Sequence, residues 1–351
     1  MMNLAEYRRT ASRLADYLPW VALVGDGIVL NKDGSFQRTA KFRGPDLDSA
    51  VAAELVAVAG RLNNAFRRLG SGWTIFVEAQ RSEAATYPAS RFPDPAAALV
   101  DAERKADFEE EGSHFVSSYF LTFLWLPPAE DAARSESWLY EGRETSGVNP
   151  WELARGFADR TDRVLALLDG FMPECRWLDD GETLTYLHST ISTNRHRVAV
   201  PETPIYLDAL LADQPLTGGL EPRLGNHHLR VLTITGFPGA TTPGLLDEMN
   251  RLAFPYRWST RAILMDKTDA TRLLTKIRRQ WFAKRKSIAA ILKEVMTNEQ
   301  SALVDTDAAN KAADADMALQ ELGADVVGVA YATATVTVWD EDARRADEKL
   351  R

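Results

Sequence analysis

The feature that most constrains this chain is an order of elements that begins twice. Apolar side chains spaced by two put one face of a strand on a core, and spacings of three and four do the same for a helix. By that reading residues 35–43 form a strand. Residues 46–69 form a helix whose stripe is Leu47, Val51, Leu55, Val58, Leu62, Ala65 and Leu69. Residues 73–80 return to alternation, with Trp73, Ile75, Val77 and Ala79 on one face. Residues 115–126 are apolar on both faces toward their end, which predicts a central strand. A helix opened by Asn149-Pro150 and a short strand at 176–178 close the unit. Asp26-Gly27 and Asp33-Gly34 precede it as tight turns, because glycine accepts positive φ. A Pro-rich excursion over 81–112 carries an acidic helix at 96–111.

The same order restarts at residue 227. A strand at 228–237, a short helix at 243–252 and a strand at 256–265 are followed by a long helical insertion, 266–322. A strand at 326–339 then shows Val329, Tyr331, Thr333, Thr335 and Thr337 on one face and the small Ala330, Ala332 and Ala334 on the other. A last helix starts near Asp340. The expected fold class is α+β: two ferredoxin-like (split βαβ) lobes with antiparallel sheets, the second cut before its last strand. The expected division is 1–178 for the first lobe, with an N-terminal helix and hairpin, 179–226 for a Pro-punctuated connector, and 227–351 for the second lobe.

Composition narrows the function classes. The 351 residues include 45% hydrophobic side chains, enough for a packed core, and a formal charge of −9 argues against a general nucleic-acid coat. One cysteine, Cys175, cannot form an internal disulfide and reads as a buried thiol. The longest apolar runs, 18–30 and 119–126, fall short of the roughly 18–20 residues of a spanning helix. Leu4, Tyr7, Ala11, Leu14 and Leu18 recur at helical spacing with Arg8, Arg9 and Arg13 among them, so the N-terminus reads as an amphipathic helix rather than a secretory signal.

Catalytic motifs are missing from the sequence. No Gly-Lys dipeptide occurs, so the phosphate-gripping Gly-x-x-x-x-Gly-Lys-Ser/Thr loop cannot be spelled, and no nucleotide cofactor is expected here. Asp266 and Asp340 follow antiparallel strands and point to opposite edges, which prevents them sharing an ion. The five histidines show no metal-ligand spacing, and no Gly-x-Ser-x-Gly is present. No catalytic or metal residue is therefore predicted.

The most unusual segment is TRLLTKIRRQWFAKRKSIAAILK, residues 271–293, with eight basic residues and no acidic one. Leu273, Ile277, Trp281, Ile288, Leu292 and Val295 keep an apolar stripe, with Arg272, Lys276, Arg279 and Lys286 beside it. One reading is the solvated face of a packed helix. A sharper one makes Arg272, Lys276, Arg278, Arg279, Lys284, Arg285 and Lys286 a contact for anionic headgroups or an acidic partner. Single-stranded nucleic acid is a third occupant, and direct nucleic-acid binding is not the expectation.

Three stretches carry a family resemblance. NLAEYRRTASRLADYLPW followed by LNKDGSFQRTAKFRGPDLDS resembles the TrbE branch of the type IV secretion and conjugation ATPases. YLHSTISTNRHRVAVPETPIYLDALL and GGLEPRLGNHHLRVLTITGFPGATTPGLLDEMNRL are similar to the N-terminal domain of the CagE/TrbE/VirB family, as is RWSTRAILMDKTDATRLLTKIRRQWFAKRKS. The resemblance implies a conjugative DNA-transfer machine at the cytoplasmic face of the bacterial inner membrane. Family members are hexameric motors whose C-terminal part binds ATP and magnesium. Their N-terminal domain meets inner-membrane components, including a small TrbD-type subunit, and other copies of itself. The Walker A and Walker B motifs are not in these residues, so the resemblance carries over no catalytic residue.

Overall fold

The computed structural model describes residues 13–46, 49–84, 87–109, 114–128, 150–203, 205–237, 241–284 and 306–351. The first lobe opens with α1 (Leu14–Tyr17), β1 (Trp20–Gly25), β2 (Ile28–Asn31) and β3 (Phe36–Arg43). Of the expected N-terminal helix, residues 1–12 lie outside the described residues. Gly27, at φ 65°, makes the β1–β2 turn, where a Cβ would meet the Leu178 carbonyl oxygen at 2.4 Å. Only glycine fits that turn. Next come α2 (Ala52–Phe66), β4 (Trp73–Glu83), α3 (Pro95–Phe108), β5 (Phe115–Trp125), α4 (Pro150–Asp169) and β6 (Glu174–Trp177). The α2 helix is shorter than its apolar stripe predicts. It starts where the Glu54 carboxylate accepts the Val51 N–H at 3.0 Å, satisfying a donor that the helix leaves open.

Strands pair in the order β6-β3-β5-β4, the split βαβ arrangement, and β5 is central as its two apolar faces require. Helices α2 and α4 cover one face. Phe157 of α4 stacks with Phe36, Trp73 and Trp125 of the sheet at ring-centroid distances of 5.7–6.4 Å. Cys175 is buried there, and burial pushes its thiol up to about 11. The other face is covered by the first part of the expected connector, through Ala212, which is no loose tether. Helices α5 (Asp180–Ser189) and α6 (Leu207–Leu211) bury Leu184, Tyr186, Leu187, Leu207 and Leu211 against Trp20 and Val29. At the start of α5, Arg176 forks onto Glu182 at 2.7 and 2.8 Å.

The second lobe comprises β7 (Leu216–Thr217), β8 (Arg223–Leu224), β9 (His227–Thr233), β10 (Tyr256–Met265), α7 (Lys267–Lys284), α8 (Thr306–Gly323), β11 (Val329–Asp340) and α9 (Ala343–Leu350). The helix expected at 243–252 is only a 3₁₀ turn, Asp247–Arg251, preceded by Gly244 at φ 84°. Helix α9 packs on β9 and β11 with Ala346 buried, and Arg230 meets Asp347 at 2.5 Å. Of the alanine face only Ala334 is buried, and Ala330 and Ala332 are exposed.

The two lobes do not keep separate sheets. Strand β4 pairs with β10 from Tyr256↔Arg81 to Ile263↔Thr74, giving one path, β1-β2-β3-β5-β4-β10-β11-β9-β8-β7. Glu78 and Arg257 are diagonal neighbours across that seam. Arg257 donates from Nε and Nη2 to the two Glu78 oxygens at 2.7 and 2.5 Å, and from Nη1 to the Thr190 carbonyl at 2.6 Å. Gln80 Nε2 reaches Glu78 Oε1 at 2.6 Å, and Arg195 Nη1 reaches Gln80 Oε1 at 3.0 Å. Burial, then the nearby Arg257 charge, lowers the Arg195 pKa. Polar strand residues are tolerated at this depth because these charges have partners.

Removing one partner leaves Glu78 buried and uncompensated. Arg257→Ala should cost about 3–5 kcal/mol in urea denaturation, and Arg257→Leu with Glu78→Leu should recover most of it. A second expectation concerns acid. The Arg176 hydrogen bonds hold Glu182 at about 2, against 4.5 unpaired, with burial opposing. Its pairing therefore adds stability fully above pH 4.5 and loses it as pH falls toward 2, so Glu182→Gln should flatten that limb of a pH–melting curve.

Candidate functional site

The described part of the basic run, residues 271–284, lies on α7, the first arm of a helical pair called here the hairpin. Asp266 Oδ1 accepts the Asp269 N–H at 2.8 Å and starts α7, and that backbone bond holds the Asp266 carboxyl below its usual range. Helix α8 returns alongside. Lys267 meets Asp325, Arg278 meets Asp316 at 2.7 Å, and Lys311 sits over the Trp281 ring at 4.4 Å. Rising numbers on one helix meet falling numbers on the other, so the arms are antiparallel. Ala308, Ala312, Ala315 and Leu322 are buried at helical spacing on the facing side of α8.

The hairpin's base is tied to the first lobe. Lys267 Nζ donates to the Gly323 carbonyl at 3.0 Å and to Asp325 Oδ1 at 2.7 Å, and this pairing lowers the Asp325 pKa. Asp325 takes φ 56°, a left-handed turn that closes the return. Arg67, past the end of α2, donates to its carbonyl, and Asn63 Nδ2 donates to the Val326 carbonyl at 2.6 Å. Ser71 Oγ accepts from the Asp266 N–H at 3.0 Å.

The seven candidate residues divide. Arg272, Lys276 and Arg279 fall on one stripe of α7 with Thr268, Thr271, Thr275 and Gln280, lining a shallow open concavity. Arg272 is paired with Asp269 at 2.7 Å; Lys276 and Arg279 have no ion pair among the described residues. Arg278 is turned to α8 and engaged by Asp316. Lys284 ends α7, and Arg285 and Lys286 lie outside the described residues. Three cations over two helical turns, interleaved with hydroxyls, form a surface suited to multivalent anionic groups.

Other groups weighed in the sequence resolve as structure. Asp340 pairs with Lys349 at 2.7 Å, at the opposite end of the sheet from Asp266. His196 packs at a 55° tilt on buried His188 with ring centroids 4.4 Å apart although the helix ends at Ser189 between them, and His188 faces Asp213. Among the described residues no three His, Cys, Asp or Glu side chains gather to hold a metal ion, and no helix is long and apolar enough to cross a membrane.

Comparison with known proteins defines the class first. Residues 27–133, from the β1–β2 turn through β5, match the family described as the type IV secretion system ATPase VirB4/TrbE, N-terminal domain. A conjugal transfer protein TrbE of Rhizobium radiobacter is 31% identical over 99% of this chain. In Sinorhizobium fredii a probable conjugal transfer protein TrbE is described as two separate pieces. The first of these is 39% identical over 130 residues, which cover 87% of that piece and 36% of this chain. The chain belongs to the VirB4/TrbE family, in its TrbE branch. It spans 44% of the length of the Rhizobium protein.

If the stripe is not involved in the hairpin's own packing, neutralising it should be thermally silent. Lys276→Gln with Arg279→Gln should change stability by less than about 1 kcal/mol, whereas Ala312→Phe, which overfills the α7–α8 seam, should cost about 1–3 kcal/mol. Thermal denaturation of the two variants beside the unmodified chain separates these outcomes.

Proposed function

We propose that this chain serves a conjugative type IV secretion motor as an assembly and docking domain and does not itself bind nucleotide. The observation that carries the reading is the cationic stripe Arg272-Lys276-Arg279 on a hairpin pinned to the first lobe. A cationic surface held on a rigid base recognises an anionic counterpart with little ordering cost at the moment of binding. The counterparts are inner-membrane secretion subunits of the small TrbD type, other copies of this chain, and the anionic cytoplasmic face of the inner membrane, where the domain would lie peripherally. ATP and magnesium belong, on this reading, to the catalytic region of a full-length family member. The Gly-Lys pair that a phosphate loop requires is not spelled in this sequence.

A second reading is favoured by the family's description as an ATPase. In it the chain is the N-terminal portion of a motor that energises conjugative transfer, and the encoding DNA beyond the codon for Arg351 carries the Gly-x-x-x-x-Gly-Lys-Ser/Thr. Sequencing that region decides between the two.

Charge reversal tests the docking reading. Arg272→Glu, Lys276→Glu and Arg279→Glu together should abolish co-sedimentation with inner-membrane vesicles carrying the secretion subunits, while leaving the melting curve in place. Undiminished sedimentation would remove the docking role. Stoichiometric, magnesium-dependent ATP binding by the unmodified chain in calorimetry would remove the claim that it lacks a nucleotide site.

A further inference from the structure

A second cationic surface, sharing no residue with the hairpin's stripe, lies in a cleft between α2 and α4. The cleft has a volume of ≈ 390 Å³ and is lined by Ala65, Arg68, Leu69, Trp73, Arg160, Arg163, Val164 and Leu167. Apart from Trp73, those residues sort into two kinds. Ala65, Leu69, Val164 and Leu167 make an aliphatic lining, with Leu167 left 45% exposed. Arg68, Arg160 and Arg163 supply three positive charges, and no acidic residue is among the lining.

Among the described residues these guanidinium groups keep donors uncommitted. Arg163 there commits Nε, to the Asp159 carbonyl at 3.1 Å, and neither Nη group. Arg160 is steadied over the Trp125 ring at 4.9 Å, a contact that uses its π face and leaves its N–H groups. Arg68 has no ion pair among the described residues, while its neighbour Arg67 is committed to Asp325 at the hairpin base. Three guanidiniums without carboxylates, placed over an aliphatic floor, match a ligand with a phosphate head and a saturated body. A nucleobase would want an aromatic platform, and the one aromatic ring here, Trp73, is 5% exposed and already stacked on Trp125 and Phe157.

We propose that the α2–α4 cleft binds an anionic phospholipid, its phosphodiester on Arg68, Arg160 and Arg163 and the start of an acyl chain along Val164 and Leu167. The proposal rests on the docking reading only for the source of the ligand, a bilayer. The site itself can be tested without one.

The full chain is titrated calorimetrically with dihexanoyl phosphatidylglycerol, with dihexanoyl phosphatidylcholine and with inorganic phosphate. The glycerol lipid should bind at least about tenfold more tightly than the other two, and Arg68→Glu with Arg163→Glu should weaken it by about tenfold or more. Arg163→Lys, which keeps the charge, should retain binding and shows that the fold survives substitution there. Equal binding of the two lipids, equal binding of bare phosphate, or indifference to the double reversal would overturn the proposal. The hairpin variant Arg272→Glu/Lys276→Glu/Arg279→Glu should bind the soluble lipid normally. If it does so and is still recruited to membranes, the docking reading fails while the cleft stands. If the soluble lipid is not bound and recruitment still depends on the hairpin stripe, the cleft fails alone.

Discussion

The β4–β10 ladder decides the shape of this molecule. Each lobe would by itself present a long strand edge, β4 on one side and β10 on the other, with backbone donors and acceptors needing partners. Pairing them satisfies both edges at once and turns two units into one sheet. The arrangement places Glu78 and Arg257 at the junction, under Tyr186 and the segment that carries Arg195. A buried charge pair of this kind adds little net stability over an apolar substitute, but it discriminates strongly against misaligned pairing. A slip of one residue would turn Glu78 to the opposite face, away from Arg257. Register and lobe geometry are thus set by the same contact.

Much of the architecture was legible in the sequence because it rests on local periodicity. The alternation in residues 73–80, the two-faced apolar run in 115–126 and the glycines at 27 and 34 each speak for their own neighbourhood, and each element lies where its pattern places it. The fusion of the sheets was not legible. It depends on Gln80 lying opposite Arg257 and Glu78 beside it, and nothing in an alternating strand states which partner it will choose. The connector differs in character from its sequence pattern for a related reason. Four prolines suggest a tether, whereas Leu184, Leu187, Leu207 and Leu211 recur too sparsely to announce that they close a second core.

The basic run shows the same limit at the level of a site. Counting charges draws all seven cations together, yet the helix turns Arg278 inward to Asp316 and leaves Arg272, Lys276 and Arg279 as a stripe. The arginine cleft has almost no sequence signal. Arg160 and Arg163 are one helical turn apart on α4, but Arg68 comes from beyond the end of α2, and only the packing of the two helices on β4 brings them together. The cations thus sit on two separate elements, α7 and the α2–α4 cleft.

The hairpin joins the sheet at a single paired position. Helix α7 follows Met265 almost at once, and α8 leads back into Val329, its direct partner across the ladder. A pull along the strands through α7 and α8 therefore reaches β10 and β11 together and is resisted as shear by the flanking β4–β10 and β11–β9 ladders, not peeled away one bond at a time. Such an attachment spreads a load over many hydrogen bonds at once.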